Sequence, residues 1–259
     1  MSKYYTAKRV SNIYQPGSKT AFNLSRSKLE LFLNCPRCFY LDRRLGIGQP
    51  PGYPFNLNRA VDELLKKEFD IHRAKATAHP LMESYGIKDV VPLADEKINQ
   101  WRDALGGGIN CLHEPTNLRI SGGVDDVWQN KQGELIIVDY KATAKDGEVS
   151  IDAPWQDSYK RQIEIYQWLF RQNGYNVSPT AYFVYCNGIT DKEAFDAKLE
   201  FDIKIIPYQG DDSWVEDTII KAHQCLNSDQ LPPAGQNCDF CQYRKAIQQE
   251  LAQRYRRKH

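Results

Sequence analysis

The sequence of 259 residues has no continuous apolar run long enough to cross a membrane. Its first residues, MSKYYTAKRVSNIYQPGSK, lack the apolar segment of a secretory signal. It also lacks an excess of charge of either sign, because the formal net charge is +1, so a polyanion would have to be bound by a local patch. We therefore expect a cytoplasmic protein with no membrane partner, whose cysteines bind metal or remain free thiols.

The apolar content of 41% is that of an ordinary globular protein, and apolar residues recur with helical and strand periods in turn. This order predicts one α/β domain with a central mixed sheet flanked by helices. The predicted parts are an N-terminal arm (1–24), the domain (25–245) and a basic C-terminal helix or tail (246–259). The predicted helices include 57–77, 94–105 and 155–173, and the predicted strands are 117–128, 134–141, 180–187 and 199–207.

The turn after Asn130 sets the register of the two central strands. If Gly133 adopts the left-handed conformation of a three-residue loop, Asn130 pairs with Glu134. Asp125 then lies directly across from Asp139, and opposed residues share one face of the sheet. The register thus predicts two carboxylates at one end of the sheet.

Lys141 follows Asp139 by two residues and lies on the same face, whereas Asp126 points to the other face. Two close carboxylates repel each other unless they share a proton or a cation. Mg²⁺ typically takes one or two carboxylates plus water and phosphate oxygens, and a neighbouring lysine can orient the water and counter developing charge. The pattern favours phosphodiester hydrolysis, and the alternative is a structural ion pair between Asp139 and Lys141.

The predicted helix over 155–173 carries Gln162 and Tyr166 four residues apart, on one helical face. They are either a core-facing pair or a contact to a bound nucleic-acid strand.

Four cysteines form two C-x-x-C pairs, Cys35 with Cys38 and Cys238 with Cys241, about 200 residues apart. Together they could complete a tetrathiolate site for Zn²⁺ or for an iron–sulfur cluster, and so join the two ends of the domain. The alternatives are two unrelated pairs or a single redox-active pair.

Basic residues adjoin both cysteine pairs, and a shared metal site would make them neighbours that could track phosphates. The alternative is a set of solvated helix faces. The predicted DNA-binding residues near the cysteines are Arg37, Arg43, Arg44 and Arg244.

Four stretches, SKLELFLNCPRCFYL, GGVDDVW, IIVDYKAT and QIEIY, resemble in order and spacing the RecB-like branch of the PD-(D/E)XK nuclease superfamily. That branch includes the AddB nuclease domain and CRISPR-associated RecB-like exonucleases, and the resemblance covers about residues 25–245. It implies a restriction-endonuclease-like fold and a metal-dependent DNA nuclease, chiefly an exonuclease on single strands or ends. A helicase or another repair or defence protein is the implied partner.

The resemblance also implies roles for single residues. Asp125 and Asp139 would bind Mg²⁺ or Mn²⁺ with the Tyr140 carbonyl as a further ligand, and Lys141 would be the catalytic lysine. Tyr166 would also help to hold DNA. The implied catalytic residues are Asp125, Asp139, Lys141, Gln162 and Tyr166.

The sequence departs from its relatives at two places. In NRAVDELL, Asp62 stands where relatives often have a histidine, so it either binds metal or weakens the site. The four cysteines divide two and two, whereas relatives with a [4Fe–4S] cluster usually divide them one and three, which keeps Zn²⁺ as the alternative. A catalytically inactive, metal-stapled DNA-binding or scaffold subunit is therefore the second hypothesis.

Overall fold

The computed structural model describes residues 6–52 and 56–256. The first five residues of the predicted arm and the last three of the predicted tail lie outside the described residues. The chain divides into two compact units. The first comprises residues 1–53, 112–119 and 216–259, and the second comprises 54–111 and 120–215.

Helices and strands alternate along the chain, which confirms the predicted mixed α/β class. None of the helices in the described part of the chain is long and apolar enough to span a membrane. The helices are α1 (Arg26–Asn34), α2 (Pro36–Arg43), α3 (Asn56–Lys75), α4 (Pro80–Ser84), α5 (Ile98–Arg102), α6 (Asp157–Gln172), α7 (Val215–Asn227) and α8 (Asp239–Arg256). The strands are β1 (Phe22–Ser25), β2 (Val90–Pro92), β3 (Ile109–His113), β4 (Leu118–Gly122), β5 (Asp126–Asn130), β6 (Leu135–Thr143), β7 (Thr180–Gly188) and β8 (Phe201–Gln209).

The second unit is built on a five-stranded sheet in the order β2-β5-β6-β7-β8. Strand β6 pairs antiparallel with β5 and parallel with β7, so the sheet is mixed as predicted. The parallel pair needs a crossover connection, and α6 supplies it. Strand β6 lies in the middle of this sheet, and helices cover its side chains on both faces.

The hairpin between β5 and β6 has the predicted register. Its pairs run from Asp126 with Val138 to Gln129 with Leu135. Gly133 has φ of 80°, and the N–H of Asn130 donates to the carbonyl of Glu134 at 3.2 Å. The three-residue loop with a left-handed glycine is therefore confirmed.

The two faces of β6 meet different helices. Its even-numbered residues Ile136, Val138 and Tyr140 join an apolar cluster with Leu65 and Phe69 of α3. Burial of such side chains contributes about 1.5–3 kcal/mol each. The odd-numbered face carries Asp139 and Lys141, and it is covered by the N-terminal part of α6, where the ring of Tyr159 lies 4.5 Å from the Lys141 Nζ.

The predicted strand over 117–128 is wrong in its continuity, because the structure breaks it into β4 and β5. The break falls at Gly123, where a Cβ atom would lie 2.7 Å from the Cβ of Ala104. A residue without a side chain is needed there for the close approach of the two backbones.

The predicted helix over 94–105 is also shorter in the structure, where α5 covers five residues. The side chain of Asp103 accepts the N–H groups of Leu105 and Gly106 at 3.1 and 2.9 Å. An aspartate that bonds its own downstream backbone competes with the helix, and α5 therefore ends at Arg102.

The first unit holds a buried charge cluster on α2. Asp42 is 3% exposed and pairs with Arg9 at 2.6 Å, Lys28 at 2.8 Å and Arg43 at 3.0 Å. Burial raises the pKa of Asp42, but the surrounding cations outweigh it and lower that pKa. The cluster ties α2 to α1 and to the segment around Arg9. A separate three-stranded sheet has the order β1-β4-β3.

Candidate functional site

The end of the hairpin in the second unit carries the two predicted carboxylates. The ladder between β5 and β6 ends at Asp126, and the Oδ2 atom of Asp125 accepts the N–H of Tyr140 at 2.9 Å. This bond holds the carboxylate of Asp125 against the backbone next to Asp139. Asp139 is fully buried, whereas the side chain of Asp125 is 22% exposed. The pair therefore presents one carboxylate to solvent with another behind it.

Lys141 lies on the same face, with its Nζ atom in contact with Asp139 Oδ2. Burial lowers the pKa of Lys141, but the charges of Asp139 and Asp125 outweigh burial and raise that pKa. The lysine therefore carries a proton while both carboxylates face it. This contact is the ion pair of the structural alternative, and it is also the contact that would hold a catalytic lysine beside the carboxylates.

Asp62 of α3 is connected to the same sheet end by Lys66, whose ammonium lies between Asp62 and Asp125. The Lys66 Nζ lies 2.7 Å from Asp62 Oδ2 and 3.7 Å from Asp125 Oδ1. Burial and the charge of Asp125 raise the pKa of Asp62. Negative charge is thus concentrated at this place and favours a cation. The sequence offered no signal for Lys66, because an aspartate followed four residues later by a lysine is common on exposed helices.

The carboxylates at this sheet end match the small number of protein ligands that Mg²⁺ needs, but they do not form a compact set of three. Within the described residues, only the four cysteines bring three or more ligand atoms within 4.8 Å of one another, so Asp62, Asp125 and Asp139 do not form so compact a set. Mg²⁺ needs only one or two carboxylates, since it keeps several waters. Two carboxylates such as Asp125 and Asp139 meet that number, and a metal role for these two, for Asp62 and for the Tyr140 carbonyl stays a prediction.

Asp126 points to the opposite face, as predicted, and enters a buried network that the sequence did not reveal. It contacts Arg73, pairs with Arg102 at 3.0 Å and accepts the hydroxyl of Tyr140 at 2.7 Å. Arg102 also donates to the backbone carbonyl of Asp125 at 3.1 Å. The network therefore fixes the backbone on which Asp125 stands.

Gln162 and Tyr166 come together on α6, with the Gln162 Nε2 donating to the Tyr166 hydroxyl at 3.4 Å. Tyr166 is 3% exposed, so the structure supports an ordering contact more than direct stacking on a base. One turn earlier, Tyr159 lies over the ammonium of Lys141 and packs edge-on against Trp155 at 5.4 Å between ring centroids. Trp155 is 61% exposed, and no sequence pattern connects these two rings to Lys141.

The predicted DNA-binding arginines lie in different environments within the first unit. Arg43 is buried and paired with Asp42, which argues against a direct phosphate contact. Arg37 donates to a backbone carbonyl at 3.0 Å, and Arg44 is half-buried. Arg244 lies exposed on α8, so among these four it offers the most accessible guanidinium.

The four predicted cysteines cluster in the first unit, where Cys35, Cys38, Cys238 and Cys241 place their sulfur atoms within 4.8 Å of one another. The terminal segments are therefore joined as predicted. Burial raises the pKa of Cys35, but N–H bonds from Gly235 and Cys38 outweigh it and lower that pKa to about 7. Such donors stabilise a thiolate at Cys35, the form that binds metal, whereas burial raises the pKa of Cys38 and raises that of Cys241 to about 11. The group fits a metal ion or a cluster by the chemistry of its donors.

Comparison with known proteins gives a family match over most of the chain. The family described as the PD-(D/E)XK nuclease superfamily matches residues 23–246, which include every predicted site residue. Among solved structures, the crystal structure of SSO0001 shares 15% sequence identity, with the match covering 81% of this chain and 78% of that one at a TM-score of 0.32. No curated protein sequence matches the chain.

Proposed function

This chain belongs to the PD-(D/E)XK nuclease superfamily, and on that premise we propose that it is a metal-dependent deoxyribonuclease. We further propose a RecB-like exonuclease that acts on DNA ends or single strands. The observation that supports the proposal most is the hairpin end, where Asp125 and Asp139 stand together with Lys141 on one face.

The two carboxylates would bind the metal. Asp125 and Asp139 would hold Mg²⁺ or Mn²⁺, which supplies a water of lowered pKa and positive charge for the phosphate. The N–H of Tyr140 orients Asp125, and Arg102 fixes the same residue through its carbonyl. In the hydrolysis, a water oxygen bonds to phosphorus, the ester bond to one sugar oxygen breaks, and that oxygen takes up a proton.

Lys141 would act through its charge. Its raised pKa keeps the ammonium protonated, so it can offset negative charge on the phosphate during the attack. The Tyr159 ring restricts the ammonium from one side and shields it from water. Gln162 and Tyr166 would order α6 beside the site, and Arg244 would contribute to DNA binding from the first unit.

A metal-dependent cleavage assay tests the proposal. The full chain is incubated with single- and double-stranded oligonucleotides labelled at either end, and with circular DNA, in Mg²⁺, Mn²⁺ or EDTA. We expect metal-dependent loss of end label, intact circles, and a rate at least about 100-fold lower in Asp139→Asn. Asp202→Asn, an exposed aspartate on β8, is the matched control and should keep the wild-type rate.

Cleavage in EDTA, or a wild-type rate in Asp139→Asn, would contradict the proposal. Cleavage of circles would leave a nuclease but exclude a strict exonuclease. A helicase or another repair or defence protein is the proposed partner, because an end-directed nuclease needs a supply of unwound strands.

The second candidate, an inactive metal-stapled DNA-binding or scaffold subunit, is favoured by one observation. Lys66 already bridges Asp62 and Asp125, and Lys141 already pairs with Asp139, so cations of the chain itself satisfy the carboxylates. This candidate predicts DNA binding that does not change in Asp125→Ala or Lys141→Ala, and no cleavage with either metal.

A further inference from the structure

The four cysteine sulfurs of the first unit form one close group. Sγ of Cys35 lies 3.7 Å from Sγ of Cys241, and Sγ of Cys38 lies 3.6 Å from those of Cys238 and Cys241. All four fall within 4.8 Å of one another. The sulfurs thus enclose a single small space.

The size of that space distinguishes two kinds of metal group. A zinc ion bonded to four sulfurs at about 2.3 Å in a tetrahedron sets the sulfurs about 3.8 Å apart. A [4Fe–4S] cluster places its irons and sulfides between the thiolates, and each thiolate bonds a different iron. Thiolates around a cluster must therefore stand much farther apart than thiolates around one ion, and sulfurs 3.6–3.7 Å apart fit one ion.

The surrounding backbone keeps the cysteines close. Cys35 accepts N–H bonds from Gly235 at 3.2 Å and from Cys38 at 3.4 Å. A Cβ on Gly235 would overlap the carbonyl oxygen of Asn34, so the loop before Cys238 needs a glycine for its approach. The segment is held by short backbone contacts, and widening the sulfur cage would break them.

Three of the four cysteines are buried, and Cys241 is half-buried. Cys35 is 1% exposed, Cys38 5% and Cys238 9%. Four protein ligands with no open position are typical of structural zinc sites, whereas catalytic ones keep a position for water. The two-and-two division into C-x-x-C pairs agrees with the ligand spacing of such sites.

We propose that Cys35, Cys38, Cys238 and Cys241 bind one Zn²⁺ ion as a closed structural site, in place of the [4Fe–4S] cluster that the sequence resemblance implies. Binding forms four Zn–S bonds and releases the thiol protons, with no change of oxidation state. The site would join α2 to the start of α8 without any electron-transfer role. This proposal goes beyond the nuclease activity, because its readout is metal content and it can fail while the nuclease proposal stands.

Metal analysis of the full chain tests the proposal. The protein is produced in medium with ample iron and zinc, purified under nitrogen, and analysed for zinc, iron and acid-labile sulfide. We expect about one zinc per chain, no visible absorbance, and a tetrahedral cobalt spectrum with sulfur charge-transfer bands after Co²⁺ exchange. A brown protein with about four irons and matching sulfide, or iron and sulfide uptake to that level on reconstitution, would overturn it. Protein that binds neither metal would overturn it as well.

Two variants assign the site to these cysteines. Cys38→Ser should lose its zinc, while Cys225→Ser, a half-buried cysteine of the same unit, should keep it. If Cys38→Ser does not fold, zinc release from the wild-type chain by a mercurial gives the same answer. About one zinc released per chain as the thiols react, in the wild type and equally in Cys225→Ser, supports the proposal, and no zinc released after all the thiols have reacted contradicts it.

Discussion

Two adjacent aspartates, Asp125 and Asp126, are expected to respond in opposite ways to the same isosteric substitution. Asp126 has no exposed surface, and its carboxylate is shared by Arg73, Arg102 and the Tyr140 hydroxyl. Asp126→Asn keeps the shape but removes the charge between two guanidiniums whose side chains are 8% and 9% exposed. Removing one partner of a buried ion pair costs about 3–5 kcal/mol.

The lower end of that range applies to Asp126→Asn. Asp70 still pairs with Arg73 at 2.8 Å and with Arg102 at 2.9 Å, so neither guanidinium is left without a carboxylate. We therefore expect a loss of about 3 kcal/mol in the free energy of unfolding. For a chain of this size, that loss lowers Tm by roughly 6–12 °C.

Asp125→Asn should have little effect on stability. An asparagine oxygen can still accept the N–H of Tyr140, and Lys66 keeps Asp62 as its partner at 2.7 Å. For a pair with this exposure the change stays within about 1 kcal/mol. The loss of one anionic metal ligand should instead abolish metal-dependent DNA cleavage.

The two variants are compared by circular dichroism melts and by cleavage of end-labelled DNA under identical conditions. Asp126→Asn should melt early, and below its Tm it should retain much of its activity. Asp125→Asn should melt with the wild type and fail to cut. Equal Tm shifts in the two variants, or a fully active Asp125→Asn, would refute the assignment of one residue to the core and its neighbour to the site.

Three further outcomes are expected. Tyr159→Leu should lower the single-turnover cleavage rate about fivefold, because it removes about 1 kcal/mol of cation–π contact to Lys141. Tyr159→Phe keeps an aromatic ring and should cleave at the wild-type rate. Equal rates in the Leu and Phe variants would exclude a role for the contact. Asp42 has a lowered pKa in the folded state, so its contribution to the free energy of unfolding is full above about pH 4 and is lost as the pH falls through that lower pKa. In melts at acid pH, the Tm of Asp42→Asn should therefore fall less steeply with pH than the Tm of the wild type. Gly123→Ala should cost about 1–3 kcal/mol in chemical denaturation, because its Cβ would crowd Ala104, and an unchanged midpoint would contradict that packing.

The register of the hairpin was predictable because it depends only on residues that are close together in the sequence. The loop containing Gly133 fixes the register of β5 and β6, and the period of two then determines which side chains share a face. The placement of Asp126 away from Asp139 followed from the same rule. The gathering of the cysteines was predictable for a chemical reason, since two C-x-x-C pairs in one chain commonly share a metal.

Other features depend on contacts between distant segments and leave no local pattern. The break between β4 and β5 arises where Gly123 meets Ala104 across the fold. Tyr159 reaches Lys141 only because α6 crosses the sheet at that point. The sequence suggests that Arg43 is an exposed cation, but in the structure it is buried and pairs with the buried Asp42. Each of these follows from tertiary packing, which overrides local preference.

The division of the chain has a consequence for biosynthesis. The second unit is made from residues 54–111 and 120–215, which lie between the two main segments of the first unit. Cys38 and Cys238 are 200 residues apart, so at ribosomal speeds of about 5–20 residues per second the later cysteines appear roughly 10–40 s after the earlier ones. The five-stranded sheet can therefore form on the nascent chain before the sulfur cage is complete. During that interval the first thiols must stay reduced, so capture of the proposed zinc ion would be one of the last events in the making of this protein.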